Sequence, residues 1–188
     1  ARRALEAGID PLKALEEGLA VGVREVGDKF GRGEVFLPHL MVAAKAMKEA
    51  LNILEPEIRR RGQKVKTKGI VVIGTIEGDL HDIGKNIVAM MLEASGFKVY
   101  DVGKDTPVDV LIEKETKADI IATSALMTTT MLNQQHLIKR LKEQNLYGRF
   151  KVMVGGAAVN KEWAKEIGAD AYAEDAVEAV REAETLMA

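Results

Sequence analysis

Asp79, His81 and Gly84 follow the spacing Asp-x-His-x-x-Gly, within the run Gly78-Asp79-Leu80-His81-Asp82-Ile83-Gly84. These residue types at this spacing suit metal ligation. A carboxylate two residues from a histidine can hold one ring nitrogen. That fixes the tautomer and leaves the other nitrogen free for a metal. Gly84 removes a side chain where the chain turns into the next element, so a bulky group can approach. Plainer readings stand beside these. A loop histidine is often only a surface polar group, and Asp79 also suits a helix cap. Asp82 reads as the N-cap of the helix that follows rather than as a ligand partner.

Position strengthens the chemical reading. Gly69-Ile70-Val71-Val72-Ile73-Gly74-Thr75 is apolar throughout and reads as a buried parallel strand. Lys85 to Leu92 reads as an amphipathic helix. His81 therefore lies on the loop at the carboxyl end of a strand, where open α/β sheets bind ligands. The chain has no cysteine, which excludes disulfides and thiolate metal sites. A lone histidine must then carry any soft transition metal with the help of a preformed macrocycle.

Alternating patterns continue to the end of the chain. Strands are expected near 69–75, 97–102, 119–124, 151–155 and 170–173. Helices are expected near 83–95, 107–117, 129–145, 160–167 and 175–186. Five such units with short connections predict a parallel sheet with helices on both faces, in the flavodoxin-like order 2-1-3-4-5. Before this region the pattern is helical. Leu12, Leu15, Leu19, Val23 and Val26 recur at helical spacing, as do Leu40, Ala43, Ala44, Met47, Leu51 and Leu54. Asp10-Pro11 reads as an N-cap followed by proline at the first helical position. Gly31-Arg32-Gly33 breaks the helix. The expected organisation is a helical domain over 1–58, a linker over 59–68 and an α/β domain over 69–188. The linker region opens at Pro56 and is rich in arginine and lysine, which suits either a solvated surface or an acidic partner.

The Asp79-His81-Gly84 stretch resembles the cobalamin-binding signature Asp-x-His-x-x-Gly. Two further elements of that signature follow in order: Ser124-Ala125-Leu126 matches Ser-x-Leu, and Gly155-Gly156 matches Gly-Gly. One short motif recurs by chance, whereas three in order after expected strands are specific. Val26-Gly27-Asp28-Lys29-Phe30 and Gly33-Glu34-Val35-Phe36-Leu37-Pro38 resemble the helical cap of methionine synthase and of corrinoid methyltransferase proteins. The resemblance spans nearly the whole chain. It implies a corrinoid protein of a methanol, methylamine or methoxy-compound methyltransferase system.

The resemblance implies roles residue by residue. His81 is the lower ligand of the cobalt, with Gly78, Asp79, Leu80, Asp82, Ile83 and Gly84 around the cofactor. Asp79 and Thr130 form a relay behind His81, and Thr128 and Leu126 lie near it. Ser124 hydrogen-bonds the benzimidazole tail, and Gly155, Gly156 and Ala157, with Ala158, give the tail a wall without side chains. Phe36 covers the upper corrin face, with Leu37 and Leu40 as weaker candidates. Read without the resemblance, Ser124 caps a helix, Thr128, Thr129 and Thr130 start one, Gly155-Gly156 is a tight turn, and Phe36 packs in a core. Glycines after a strand also bind dinucleotide phosphates, but no G-x-G-x-x-G follows the first strand. His39 and His136 fall on expected helices and read as surface residues.

The implied cap is a four-helix bundle whose first helix here would span only Ala1 to Gly8. The implied activity is methyl carriage with the cofactor base-off and histidine-on. A substrate-specific methyltransferase would load the chain, and a second methyltransferase would unload it onto a tetrahydrofolate-type or thiol acceptor. The alternative is a cobalamin-dependent sensor or a storage protein. A photoreceptor repressor would add a DNA-binding domain, and a mutase subunit typically lacks the cap. A net charge of −2 argues against a nucleic-acid surface. With no long apolar run and no signal-peptide pattern, the expected location is cytoplasmic, away from membranes. The chain opens on Ala1-Arg2-Arg3 without a methionine, which implies that residues precede it in the natural protein.

Overall fold

Five apolar runs form strands in the computed structural model, which describes residues 1–113 and 118–188. The strands are β1 (Ile70–Thr75), β2 (Lys98–Asp101), β3 (Ile120–Ser124), β4 (Lys151–Gly155) and β5 (Ala171–Ala173). All pairs are parallel, in the order β2-β1-β3-β4-β5 that the alternation of elements predicts. The chain folds as two compact units. One is Ala1–Thr67 with Glu93–Gly96, and the other is Lys68–Leu92 with Phe97–Ala188.

The helical unit begins with α1 (Arg2–Glu6), followed by α2 (Pro11–Lys13), a π-helical stretch (Ala14–Leu19) and α3 (Ala20–Gly31). Asp10 caps this run, its carboxylate accepting from the Lys13 amide at 3.0 Å, with Pro11 at the first position. After the glycine break, α4 (Leu37–Arg60) buries Leu40, Ala44, Met47, Leu54 and Ile58 along one stripe. The sequence reading opens the linker region at Pro56, but α4 runs through it to Arg60. Proline there forfeits one helical hydrogen bond. Leu54 and Ile58, both fully buried, continue the stripe on either side, and their burial offsets that cost. The arginines at the end of α4 pair within their own unit. Arg59 meets Glu55 at 2.5 Å, while Arg60 and Arg61 meet Glu57 at 2.7 and 3.0 Å. Hydrogen bonds from Arg60 and Arg61 lower the Glu57 carboxyl to about 2.

In the α/β unit the helices are α5 (Ile83–Ala94), α6 (Val108–Glu113), α7 (Thr128–Glu143), α8 (Lys161–Ile167) and α9 (Ala176–Leu186). The expected helix over 107–117 is seen to Glu113, and its remaining positions lie outside the described residues. Side chains alternate across the sheet. Val72, Ile121, Val152 and Val154 face Leu111, Leu137, Ile138, Leu141 and Trp163 of α6, α7 and α8. Val71, Ile73, Ile120, Ala122 and Met153 face Ala89, Leu92, Ala179 and Ala183 of α5 and α9. Burial on both faces explains why these strands read as unbroken apolar runs. Among the described residues, no helix is long and apolar enough to cross a membrane.

Candidate cofactor site

β1 ends at Thr75, and the chain loops over the carboxyl edge of the sheet before α5 begins at Ile83. Asp79 lies on this loop with no exposed side-chain surface. Its Oδ1 accepts from the His81 amide at 3.0 Å and meets His81 Nδ1 at 2.7 Å. Its Oδ2 accepts from the Leu126 amide and from the Thr130 hydroxyl, both at 2.7 Å. Thr130 Oγ1 also lies 3.0 Å from the Met127 carbonyl. It has one proton to give, and the ionised carboxylate is the stronger acceptor.

Burial pushes the Asp79 carboxyl upward, but the donors from His81, Thr130 and Leu126 outweigh it. They hold the group well below the usual carboxylate range. An ionised Asp79 assigns the Nδ1 proton to His81 and leaves Nε2 with its lone pair. The His81 side chain is 52% exposed, so that nitrogen is accessible. Leu80, Ile83 and Leu126 are exposed apolar side chains beside it, Ile83 at 75%. Met127, which the sequence reading passed over, adds to this apolar surround.

A second row of residues crosses the sheet below. The register aligns Thr75, Ser124, Gly155 and Ala173 on neighbouring strands. By alternation they share the face that looks toward α5 and α9, and all four are small. Thr75 is buried, and its hydroxyl donates to the His81 carbonyl at 3.3 Å. The Ser124 hydroxyl has no hydrogen bond among the described residues. Gly155 ends β4, and Gly156 follows with φ 114°. A Cβ on Gly155 would come within 2.8 Å of the Ala173 carbonyl oxygen. One on Gly156 would lie 2.1 Å from the Ala125 carbonyl oxygen. The fold itself therefore demands this glycine pair, whatever binds beside it.

Other residues singled out in the sequence are placed as follows. The Gly78 amide donates to Asp105 Oδ1 at 2.7 Å. Asp82 precedes α5, and its carbonyl accepts from the Asn86 amide at 2.8 Å. A Cβ on Gly84 would meet open space. Thr128 opens α7 and is exposed, as are Thr129 and Ala157. Phe36 belongs to the helical unit, 72% exposed, just ahead of α4. His39 is exposed, and its Nδ1 accepts from the Phe36 amide at 3.2 Å, so it caps α4. His136 is exposed on α7.

Two positioning residues escaped the sequence reading. Gln134 is fully buried. Its Nε2 donates to the carbonyls of Thr123 and Gly155 at 3.2 and 3.4 Å, and its Oε1 accepts from Trp163 Nε1 at 3.3 Å. It thus ties together the ends of β3 and β4. The signal was a polar residue on the same helix stripe as Leu137, Ile138 and Leu141. Asp105, on the loop after β2, is the other.

This donor set fits a metal that arrives in its own macrocycle. His81 offers one nitrogen, and no cluster of three or more histidine, cysteine, aspartate or glutamate groups is found among the described residues. A single accessible ring nitrogen on an apolar, open surface suits a flat ligand that brings the remaining metal bonds. The row of small side chains with a free hydroxyl suits an inserted arm. Parallel sheet, strand-end histidine and small-residue row together fit the cobalamin-binding signature that the sequence resembles.

Comparison with known proteins gives the family. Residues 69–181 match the B12 binding domain, and residues 1–55 match a second B12 binding domain family. The trimethylamine corrinoid protein of Methanosarcina barkeri is 51% identical over 182 residues, covering 96% of this chain and 84% of that protein. Dimethylamine corrinoid protein 2 of Methanosarcina acetivorans is 50% identical over 181 residues, covering 95% and 83%. Among solved structures, the methanol:cobalamin methyltransferase complex of Methanosarcina barkeri superposes with a TM-score of 0.86 at 34% identity, covering 99% of this chain and 71% of that one. A cobalamin-binding protein from Desulfitobacterium hafniense gives 0.76 at 34% identity, covering 90% and 81%. The chain belongs to the B12-binding family and, within it, to the corrinoid proteins of methyltransferase systems.

Proposed function

We propose that this chain carries a methyl group in a methylamine methyltransferase system, with trimethylamine as the methyl donor. The observation that carries the reading is the oriented His81 imidazole, held by a buried carboxylate at a strand end. Half of the residues are shared with corrinoid proteins named for trimethylamine and for dimethylamine, which supports a methylamine as the donor, and the experiment below decides between the two. When bound, the corrinoid supplies a cobalt centre able to accept and release a methyl group.

The chain's own residues do the rest. His81 Nε2 would hold the cobalt, in the proposed base-off, histidine-on arrangement. Asp79 keeps the Nδ1 proton in place, so the imidazole presents the correct nitrogen. Because Asp79 is held ionised, it acts as a fixed negative acceptor behind the ring, and Thr130 and the Leu126 amide hold it there. Leu80, Ile83 and Leu126 would exclude water from the bound group beside His81. Thr75, Ser124, Gly155 and Ala173 would receive the tail, with the Ser124 hydroxyl available for one hydrogen bond to it. Phe36, in the helical domain, is a further candidate contact for the bound group. A separate methyltransferase loads the group in the cytoplasm, and a second passes it to a thiol or tetrahydrofolate-type acceptor.

The test is to reconstitute the chain with cobalamin, reduce it, and add the trimethylamine-specific methyltransferase of a methylamine-using methanogen. Trimethylamine should methylate the bound cobalt, read by absorbance, and dimethylamine should not. Methylation by dimethylamine with its own methyltransferase, and not by trimethylamine, would reassign the donor. No methylation with either pair would leave a storage protein.

Asp79→Asn offers a sharper check on the site. The carboxylate accepts bonds at both oxygens, whereas an amide keeps one acceptor and presents two donors. Either the His81 contacts or the Leu126 and Thr130 contacts are then lost. Cobalamin affinity should fall by about 10–100-fold, the range typical for partners of metal-bound histidine. Equilibrium titration measures this, and unchanged affinity would remove Asp79 from the role of orienting group.

A further inference from the structure

Asp105 makes a two-way clasp with the loop that carries Asp79 and His81. Its backbone amide donates to the Asp79 carbonyl at 2.9 Å, and its Oδ1 accepts from the Gly78 amide at 2.7 Å. The clasp therefore grips the peptide units on both sides of the Gly78–Asp79 bond. It does so from the loop after β2, which is itself pinned to β1 where the Thr106 amide donates to the Thr75 carbonyl at 3.0 Å. Asp105 adopts φ 50°, a left-handed conformation that L residues other than asparagine and aspartate rarely take. Its side chain is exposed, so packing does not explain the residue. A side chain that tolerates this backbone and also accepts a hydrogen bond does.

We infer that Asp105 is a positioning residue for the metal-ligand loop. By holding Gly78 and Asp79 it sets where the Asp79 carboxylate lies, and through it which way the His81 ring faces. The inference rests on the reading of His81 as the lower cobalt ligand. Three variants separate the parts. Asp105→Gly keeps the left-handed backbone and the amide but removes the carboxylate. Asp105→Asn keeps both the conformation and an Oδ1 acceptor. Asp105→Ala loses the acceptor and strains the backbone.

Amide exchange and 15N shifts of the His81 ring, both measured on cofactor-free protein, test the clasp without any cobalt chemistry. The Gly78 amide should be protected in the wild type, and Asp105→Gly should lose about tenfold of that protection, as expected for one hydrogen bond to a charged acceptor. The same variant should also mix the two His81 tautomers. After loading with cobalamin, the absorbance-derived equilibrium for histidine ligation should fall by about tenfold in Asp105→Gly and recover to within about threefold of wild type in Asp105→Asn. A wild-type Gly78 amide that exchanges at the free-chain rate overturns the inference, and that reading needs no variant to fold. So does an Asp105→Gly protein with wild-type tautomer and ligation. If His81→Ala leaves the bound-cobalamin spectrum unchanged, the ligand assignment fails instead, while the Gly78 and tautomer measurements still decide the clasp.

Discussion

Replacing His81 by alanine should convert bound cobalamin from a histidine-ligated to a water-ligated or unligated spectrum. Affinity should fall by at least the ~10–100-fold that loss of a supporting partner typically costs, because here the ligand itself is removed. The fold should survive. The His81 ring is half exposed, and alanine keeps the backbone amide that donates to Asp79 at 3.0 Å. Asp79 also retains Leu126 and Thr130 at 2.7 Å. The vacated space should admit free imidazole, which should restore the wild-type spectrum. Absorbance titration with and without imidazole reads both effects. A variant with the wild-type spectrum in the absence of imidazole would sink the assignment of His81 as ligand.

Gly156→Ala should strongly destabilise the protein without any cofactor present. A single methyl at this position would lie 2.1 Å from the Ala125 carbonyl oxygen and 2.7 Å from its amide nitrogen. Neither is the end of a flexible side chain, so the backbone must move. The φ of 114° adds strain for any L residue. Overpacking and backbone strain each cost about 1–3 kcal/mol. Together they consume a large part of a total stability of about 5–15 kcal/mol. Chemical denaturation of cofactor-free protein measures the loss. Wild-type stability in that variant, together with failure to retain cobalamin, would mean that the glycine serves the ligand and not the chain.

The strands were legible because their burial on both faces leaves an unbroken apolar run, as in Ile70 to Thr75. Strand order followed from the short alternation of strands and helices. Asp79 and His81 were legible because their contact is local, two residues apart. What spans the chain was not. Asp105 meets Gly78 across 27 positions, and nothing in Gly103-Lys104-Asp105-Thr106-Pro107 names its partner. Gln134 looked like an ordinary polar helix residue until the sheet brought Thr123 and Gly155 to it. Gly156 is legible as a place where a ligand could approach, but that the Ala125 backbone also forbids a side chain there shows only in the fold. Pro56 was read as punctuation, yet the apolar stripe of α4 overrode it. In each case tertiary packing decided what local preference could not.

Asp79 gathers donors from three separate places: its own loop, the residue two after β3, and the first turn of α7. A carboxylate buried this deeply cannot release one of them without leaving charge or a polar group unsatisfied in the interior. The loops after β1 and β3 are thereby coupled into one opening unit, although they lie nearly fifty residues apart in sequence. Any fluctuation that displaces the Asp79 carboxylate must loosen the start of α7 with it. The motion that would withdraw the carboxylate from behind His81 is thus a cooperative event rather than a rotamer change, and its rate is set by the whole of that unit.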